Sequence, residues 1–187
     1  SDWVTDVTAG AHLQNRGARF NGVLDYRITR SLYSKLPDLN NTQRSLNSNA
    51  TLEAVEKWLF LDATATISQQ NRSPFAAASQ TDLPSVTANR VETSTYQVAP
   101  YVRGSIAGFA DYQVRASAVQ SRTSDEVVPD SRVSEWVGYI KSPPASSIFG
   151  WSIDGNSISL RNDLVQKKED SRLRGTLTVA VTPQIHL

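Results

Sequence analysis

Apolar and polar residues alternate along most of this chain. From Ala18 to Tyr33 one set of every-other residues reads Ala18, Phe20, Gly22, Leu24, Tyr26, Ile28, with Arg30 breaking it and Leu32 resuming. The interleaved set is Arg19, Asn21, Val23, Asp25, Arg27, Thr29, Ser31, Tyr33. Towards the C-terminus, Leu173, Gly175, Leu177, Val179, Val181, Pro183 and Ile185 alternate with Arg172, Arg174, Thr176, Thr178, Ala180, Thr182, Gln184 and His186. A period of two marks a strand with one apolar and one polar face. Strands of soluble sheets usually cover about 5–6 residues, whereas a tilted membrane-crossing strand needs about 9–11. The length of these runs therefore points to an all-β, antiparallel, up-and-down transmembrane β-barrel.

Read this way, the chain holds roughly nine strand segments, more than the usual 4–6 of a soluble sheet. They are expected at Trp3–Gln14, Ala18–Tyr33, Arg44–Val55, Trp58–Gln69, Arg90–Ile106, Ala110–Ala118 and onward, Val133–Lys141, Trp151–Arg161 and Arg172–Leu187. Asn15–Gly17 reads as a tight turn in which Gly17 supplies a positive φ. Segment Asn49–Leu59 also fits an amphipathic helix, with Thr51 as cap and Leu52, Val55 and Leu59 on one face. Pro100 and Pro183 interrupt strand patterns, where the missing N–H costs a ladder bond.

Short connections at Asn15–Gly17, Glu56–Lys57, Ala107–Phe109 and Ser142–Gly150 alternate with longer polar ones at Ser34–Gln43, Asn71–Asn89, Arg122–Arg132 and Asn162–Ser171. Outer-membrane barrels have short periplasmic turns and long outer loops, so the long connections are expected outside the cell. Such barrels begin and end in the periplasm with an even strand count. Here the first strand would start outside and the count is odd. Residues 1–187 are thus expected to be one barrel domain without a separate linker domain. That domain is either an internal piece of a longer chain, with a strand before Ser1, or a subunit that needs others to close its edges.

The 187 residues are 39% hydrophobic, carry a net charge of +1 and include neither Cys nor Met. The near-neutral charge gives no ground for a nucleic-acid partner. No apolar stretch is long enough for a transmembrane helix, but a membrane barrel needs only alternate residues facing lipid. The lack of Cys removes disulfides, thiol catalysis and Cys metal sites.

Chemistry is sparse. His12 and His186 are the only histidines and fall on polar faces, without a ligand set for a metal. No nucleophile-elbow motif accompanies the serines. No catalytic, cofactor or metal residue is assigned, and no enzymatic activity is expected. The charges on the polar face are Arg19, Asp25, Arg27, Glu53, Asp62, Arg103, Asp111, Arg115, Glu135, Lys141, Arg172 and Arg174. In a barrel they face the lumen, where they either line an aqueous path or brace the wall. Trp3, Tyr26, Tyr96, Tyr112 and Trp136 fall on the apolar face and are candidates for an interfacial aromatic girdle.

Several stretches carry a family resemblance. They are Arg16-Gly17-Ala18-Arg19 followed by Leu24-Asp25-Tyr26-Arg27, then Trp58 to Ala63, Ile67 to Phe75 with its Gln-Gln-Asn-Arg-Ser-Pro-Phe run, Asn89 to Glu92, and Ala99 to Gly104. Together they resemble the outer-membrane β-barrel proteins of PEP-CTERM/exosortase systems and exopolysaccharide gene clusters. The resemblance implies a location in the outer membrane of a Gram-negative bacterium and a porin-like architecture, and transfers no catalytic residue. The expected partners are outer-membrane lipid, other barrel-forming or export-system chains, and polysaccharide. The leading expectation is a non-enzymatic channel or scaffold connected with exopolysaccharide or surface-protein export. The rivals are a structural subunit of a larger assembly and a soluble β-sandwich or lipocalin-like carrier.

Overall fold

The computed structural model describes residues 3–71, 90–124, 129–143, 149–162 and 165–179. Nine strands follow one another: β1 Val4–Arg16, β2 Phe20–Tyr33, β3 Asn41–Val55, β4 Leu59–Asn71, β5 Arg90–Ile106, β6 Ala110–Thr123, β7 Ser131–Lys141, β8 Phe149–Asn162 and β9 Val165–Val179. They form one sheet in chain order, each antiparallel to the next. A short 3-10 turn at Pro37–Leu39 stands between β2 and β3. Among the described residues no second sheet packs on this one, so the sandwich expectation has no counterpart there. Asn49–Leu59 is not helical: its residues to Val55 belong to β3 and Leu59 opens β4.

The expected strands are found, with informative differences. β5 has the bounds that the alternation gave it. β9 begins at Val165, within the segment expected to be a long loop, so the short–long alternation of connections fails at its last member. Lys167, Lys168, Glu169 and Asp170 read as loop because they do not alternate. Both faces of β9 are exposed at these positions, and an edge strand in that setting needs no apolar side. The part of the expected ninth strand after Val179, with Pro183 and His186, lies outside the described residues. So does most of the Asn71–Asn89 connection.

The turns differ from expectation too. Gly17 does not have a positive φ; Lys57 and Gly108 do, in the turns after β3 and β5. At Gly17 the constraint is space and bonding: its N–H donates to the Phe20 carbonyl at 2.8 Å. A Cβ there would lie 3.0 Å from that same oxygen. Pro100 sits in the middle of the sheet, paired with Leu61. The β5–β6 ladder passes from Val98↔Ala118 to Tyr101↔Arg115 without pairing Ala99 or Pro100, and resumes in the same register. The missing donor is absorbed as a gap.

The register carries a steady stagger. The row of direct partners Asn15, Gly22, Ala50, Ala63, Val98, Ala118, Ser134, Ser159, Glu169 crosses all nine strands. Asn15 is one residue from the end of β1 at Arg16, while Glu169 is ten residues from the end of β9 at Val179. The drift is about one residue per strand. With a rise of about 3.4 Å and a strand spacing of about 4.8 Å, level strand ends then require a tilt of about 35–40°.

Burial matches a sheet without a covering layer among the described residues. The chain exposes 14119 Å², where a compact monomer of its mass exposes about 9,000 Å². The buried hydrophobics among the described residues are Tyr33, Phe60, Ala99 and Ala110. What holds the strands is the backbone ladder and a few cross-strand clusters.

Candidate functional site: two unlike faces of the sheet

In antiparallel pairs, directly opposed residues lie on the same face. One face therefore carries Leu24, Tyr26, Ile28, Leu52, Leu61, Ala63, Val98, Ala116, Trp136, Ile153 and Leu177, and the other carries Asp25, Arg27, Asp62, Arg103, Arg115, Glu135 and Arg174. We refer to the sheet edge bearing turns 17–19, 56–58 and 107–109 as the turn end, and to the opposite edge as the loop end.

On the first face, the nine residues of each strand nearest the turn end place no charged side chain. The windows run, for example, Phe20–Ile28 on β2, Leu59–Ile67 on β4, Val98–Ile106 on β5 and Ser171–Val179 on β9. Many of its large residues stand in the open, including Leu52, Val98, Val114, Trp136, Ile153 and Leu177. Tilted as above, nine residues project to a band about 25 Å tall. Beyond it, towards the loop end, the same face turns cationic with Arg30, Arg44, Arg122, Arg132, Arg161 and Lys167, all exposed.

Aromatic side chains mark the opposite border. Phe20, Trp58, Phe109, Tyr112, Phe149 and Trp151 cluster at the turn end. The Trp58 indole N–H donates to the Tyr112 hydroxyl at 3.1 Å. Phe109 and Trp151 meet with ring centroids 5.5 Å apart. Gly104, paired with Tyr112, makes room for that ring: a Cβ on it would lie 2.8 Å from the hydroxyl. Of the residues expected in a girdle, only Tyr112 belongs to this cluster. Trp136 lies at mid-band and Tyr26 in the loop-end third of the band, while Tyr96 and Trp3 stand beyond it towards the loop end. All five share the first face.

The second face holds acids and bases in balance. Asp25, Arg27, Glu53, Asp62, Arg103, Asp111, Arg115, Glu135, Lys141, Arg172 and Arg174 all fall on it by register. Arg19 does not sit on the wall. It lies in the turn after β1, 3.7 Å from Glu56 of the neighbouring turn. Glu53 folds back to accept the Lys57 N–H, fixing the turn after β3. Lys141 lies opposite Asp111 and Arg174 opposite Asp154. The strand pattern alone did not select Asp154, nor Lys168 and Asp170, which fell in the segment read as loop.

The best-ordered part of this face spans β3 to β6. Arg103 covers the Phe60 ring at 4.4 Å, Phe60 stacks on Tyr101 at 4.9 Å, and Arg115 lies 5.1 Å from the Tyr101 centroid. Arg115 then reaches Asp62 at 2.8 Å, and Asp62 accepts from Thr51 at 2.9 Å. The Asp62–Arg115 bridge crosses β5 above Ala99, which is 0% exposed. A larger residue there would block the bridge. These residues form a brace, with each cation over a ring or on a carboxylate.

A more open recess on the same face, over β1–β4, is lined by His12, Asp25, Arg27, Asn47, Thr66 and Ser68 among others. His12 Nδ1 lies 2.5 Å from Asp25 Oδ1, a direct cross-strand pair. No group of acids and histidines suited to a metal occurs among the described residues. The recess offers donors and acceptors suited to hydroxyl-rich ligands.

Set against protein-family models, curated proteins and solved structures, the chain has no match in any of the three.

Proposed function

We propose that this chain forms the wall of an outer-membrane β-barrel, non-enzymatic, that serves as a channel or scaffold for exopolysaccharide or surface-protein export. The observation that carries the membrane reading is the uncharged band on one face of a sheet that no second layer covers among the described residues. Its height, about 25 Å, equals that of the apolar belt on outer-membrane barrels. The stagger supports a barrel, because closure requires tilted strands of about 35–45° and a matching register shift. The link to export rests on the motif resemblance given by the sequence.

A second reading, a subunit completing a larger assembly, draws support from the edges. β1 and β9 both run from the loop end to the turn end. Antiparallel closure therefore needs an odd number of further strands between them. The two readings separate in planar bilayers. A channel should show stepwise conductance, and Arg27→Glu, which reverses a charge in the open recess, should shift its selectivity towards cations. A scaffold should insert in vesicles and conduct in neither form. Protein that inserts in neither system would sink both readings.

A further inference from the structure

The cationic border contains an arrangement that folding alone does not favour. Arg132 on β7 and Arg161 on β8 are direct register partners on the same face. Like charges placed opposite each other destabilise a sheet. Arg122 and Lys167 flank them on β6 and β9. Arg122 lies 3.9 Å from Asp130, and Lys167 is ion-paired with Glu169. Among the described residues no salt bridge joins Arg132 or Arg161 to an acid. The nearest acids by position are Asp130, two residues before Arg132, and Glu169, opposite Ser159, and they are engaged by Arg122 and Lys167. One step towards the turn end, Ser134 and Ser159 are also direct partners, so two hydroxyls lie beside the two guanidinium groups.

We infer that Arg132 and Arg161, with Ser134 and Ser159 beside them, bind the phosphate of an anionic lipid headgroup in the leaflet at the loop end of the sheet. The inference rests on the membrane reading above. With the uncharged band in the hydrocarbon, this pair stands at the level of the headgroups. Guanidinium groups bind phosphate oxygens in a bidentate manner, and a phosphate between them turns their repulsion into attraction. A lipid suits the site better than a free anion, because the face below the serines carries no charge towards the turn end: Trp136 stands below Ser134, and Ser157 and Gly155 below Ser159.

The test uses protein reconstituted in phosphatidylcholine vesicles doped with phosphatidic acid. Spin-labelled versions of both lipids report which is held at the protein surface. Wild-type protein should prefer phosphatidic acid by about tenfold. The double variant R132Q/R161Q, which relieves a repulsion and should fold, should bring the preference close to parity. The variant Arg16→Gln, on the other face, should leave it unchanged. Equal preference in wild type and R132Q/R161Q overturns the inference and leaves the membrane reading standing. Protein that does not float with the vesicles overturns both. If inorganic phosphate abolishes the preference at concentrations too low to screen charge, the site takes free phosphate and the lipid assignment fails.

Discussion

Ala63→Arg is expected to cost about 2–4 kcal/mol of stability in a bilayer, while Val179→Arg costs only about 0–1 kcal/mol. Both residues lie within the charge-free band of the first face, and on sequence they look alike. Ala63 stands four residues into β4 from Leu59, near the middle of the band, whereas Val179 is the last residue of β9 at the turn end. An arginine at the first position must bring its charge to the centre of the hydrocarbon, whereas at the second it reaches water within its own length. Denaturant unfolding from lipid vesicles measures both. Equal costs at the two positions would mean that depth in a membrane is not what sets them.

Phe60→Ala is expected to cost about 3 kcal/mol, the largest loss for any single residue on the charged face. Phe60 is 6% exposed, on the face that carries Asp62, Arg103 and Arg115. Its ring is the middle layer between Arg103 and Tyr101. Truncation removes the stacked pair, leaves Arg103 without its ring and weakens the seat of the Arg115–Asp62 bridge. Asp62→Asn should cost less, about 1–2 kcal/mol, because Arg115 keeps the Tyr101 ring and is about one-third exposed to water. Thermal or denaturant unfolding gives the order. If Asp62→Asn proves the costlier change, the ion pair rather than the ring stack holds β3 to β6 together.

The strand content was legible because it depends on a period of two that each segment carries by itself. β5 shows this well: Tyr96, Val98, Pro100 and Val102 alternate with Thr95, Gln97, Tyr101 and Arg103 through its middle. The face assignment of residues such as Asp62 and Arg115 was legible for the same reason. Depth was not legible. Whether Tyr112 or Trp136 belongs to a border depends on how far each strand is shifted against its neighbour, and a single strand holds no record of that shift. Arg30 is the clearest instance: along β2 it only interrupts an apolar run. The register shows that Arg44, Arg122, Arg132 and Arg161 interrupt theirs at a similar height. The first half of β9 escaped notice because an edge strand exposed on both sides carries no alternation in its charged half. Arg19 fell to the wall on paper because the alternation continued through a turn that ends it.

The claim on which the rest depends is that the charge-free band contacts lipid. Single spin labels placed in turn at Leu61, Ala63, Ala65 and Ile67, and at the intervening Asp62, Thr64 and Thr66, test it by power saturation with oxygen and with a water-soluble nickel complex. In vesicles the first set should favour oxygen, most strongly at Ala63 and Ala65, and the second set should be comparatively protected from it. Labels at Ala63 and Ala65 that respond to the nickel complex and not to oxygen would contradict the account.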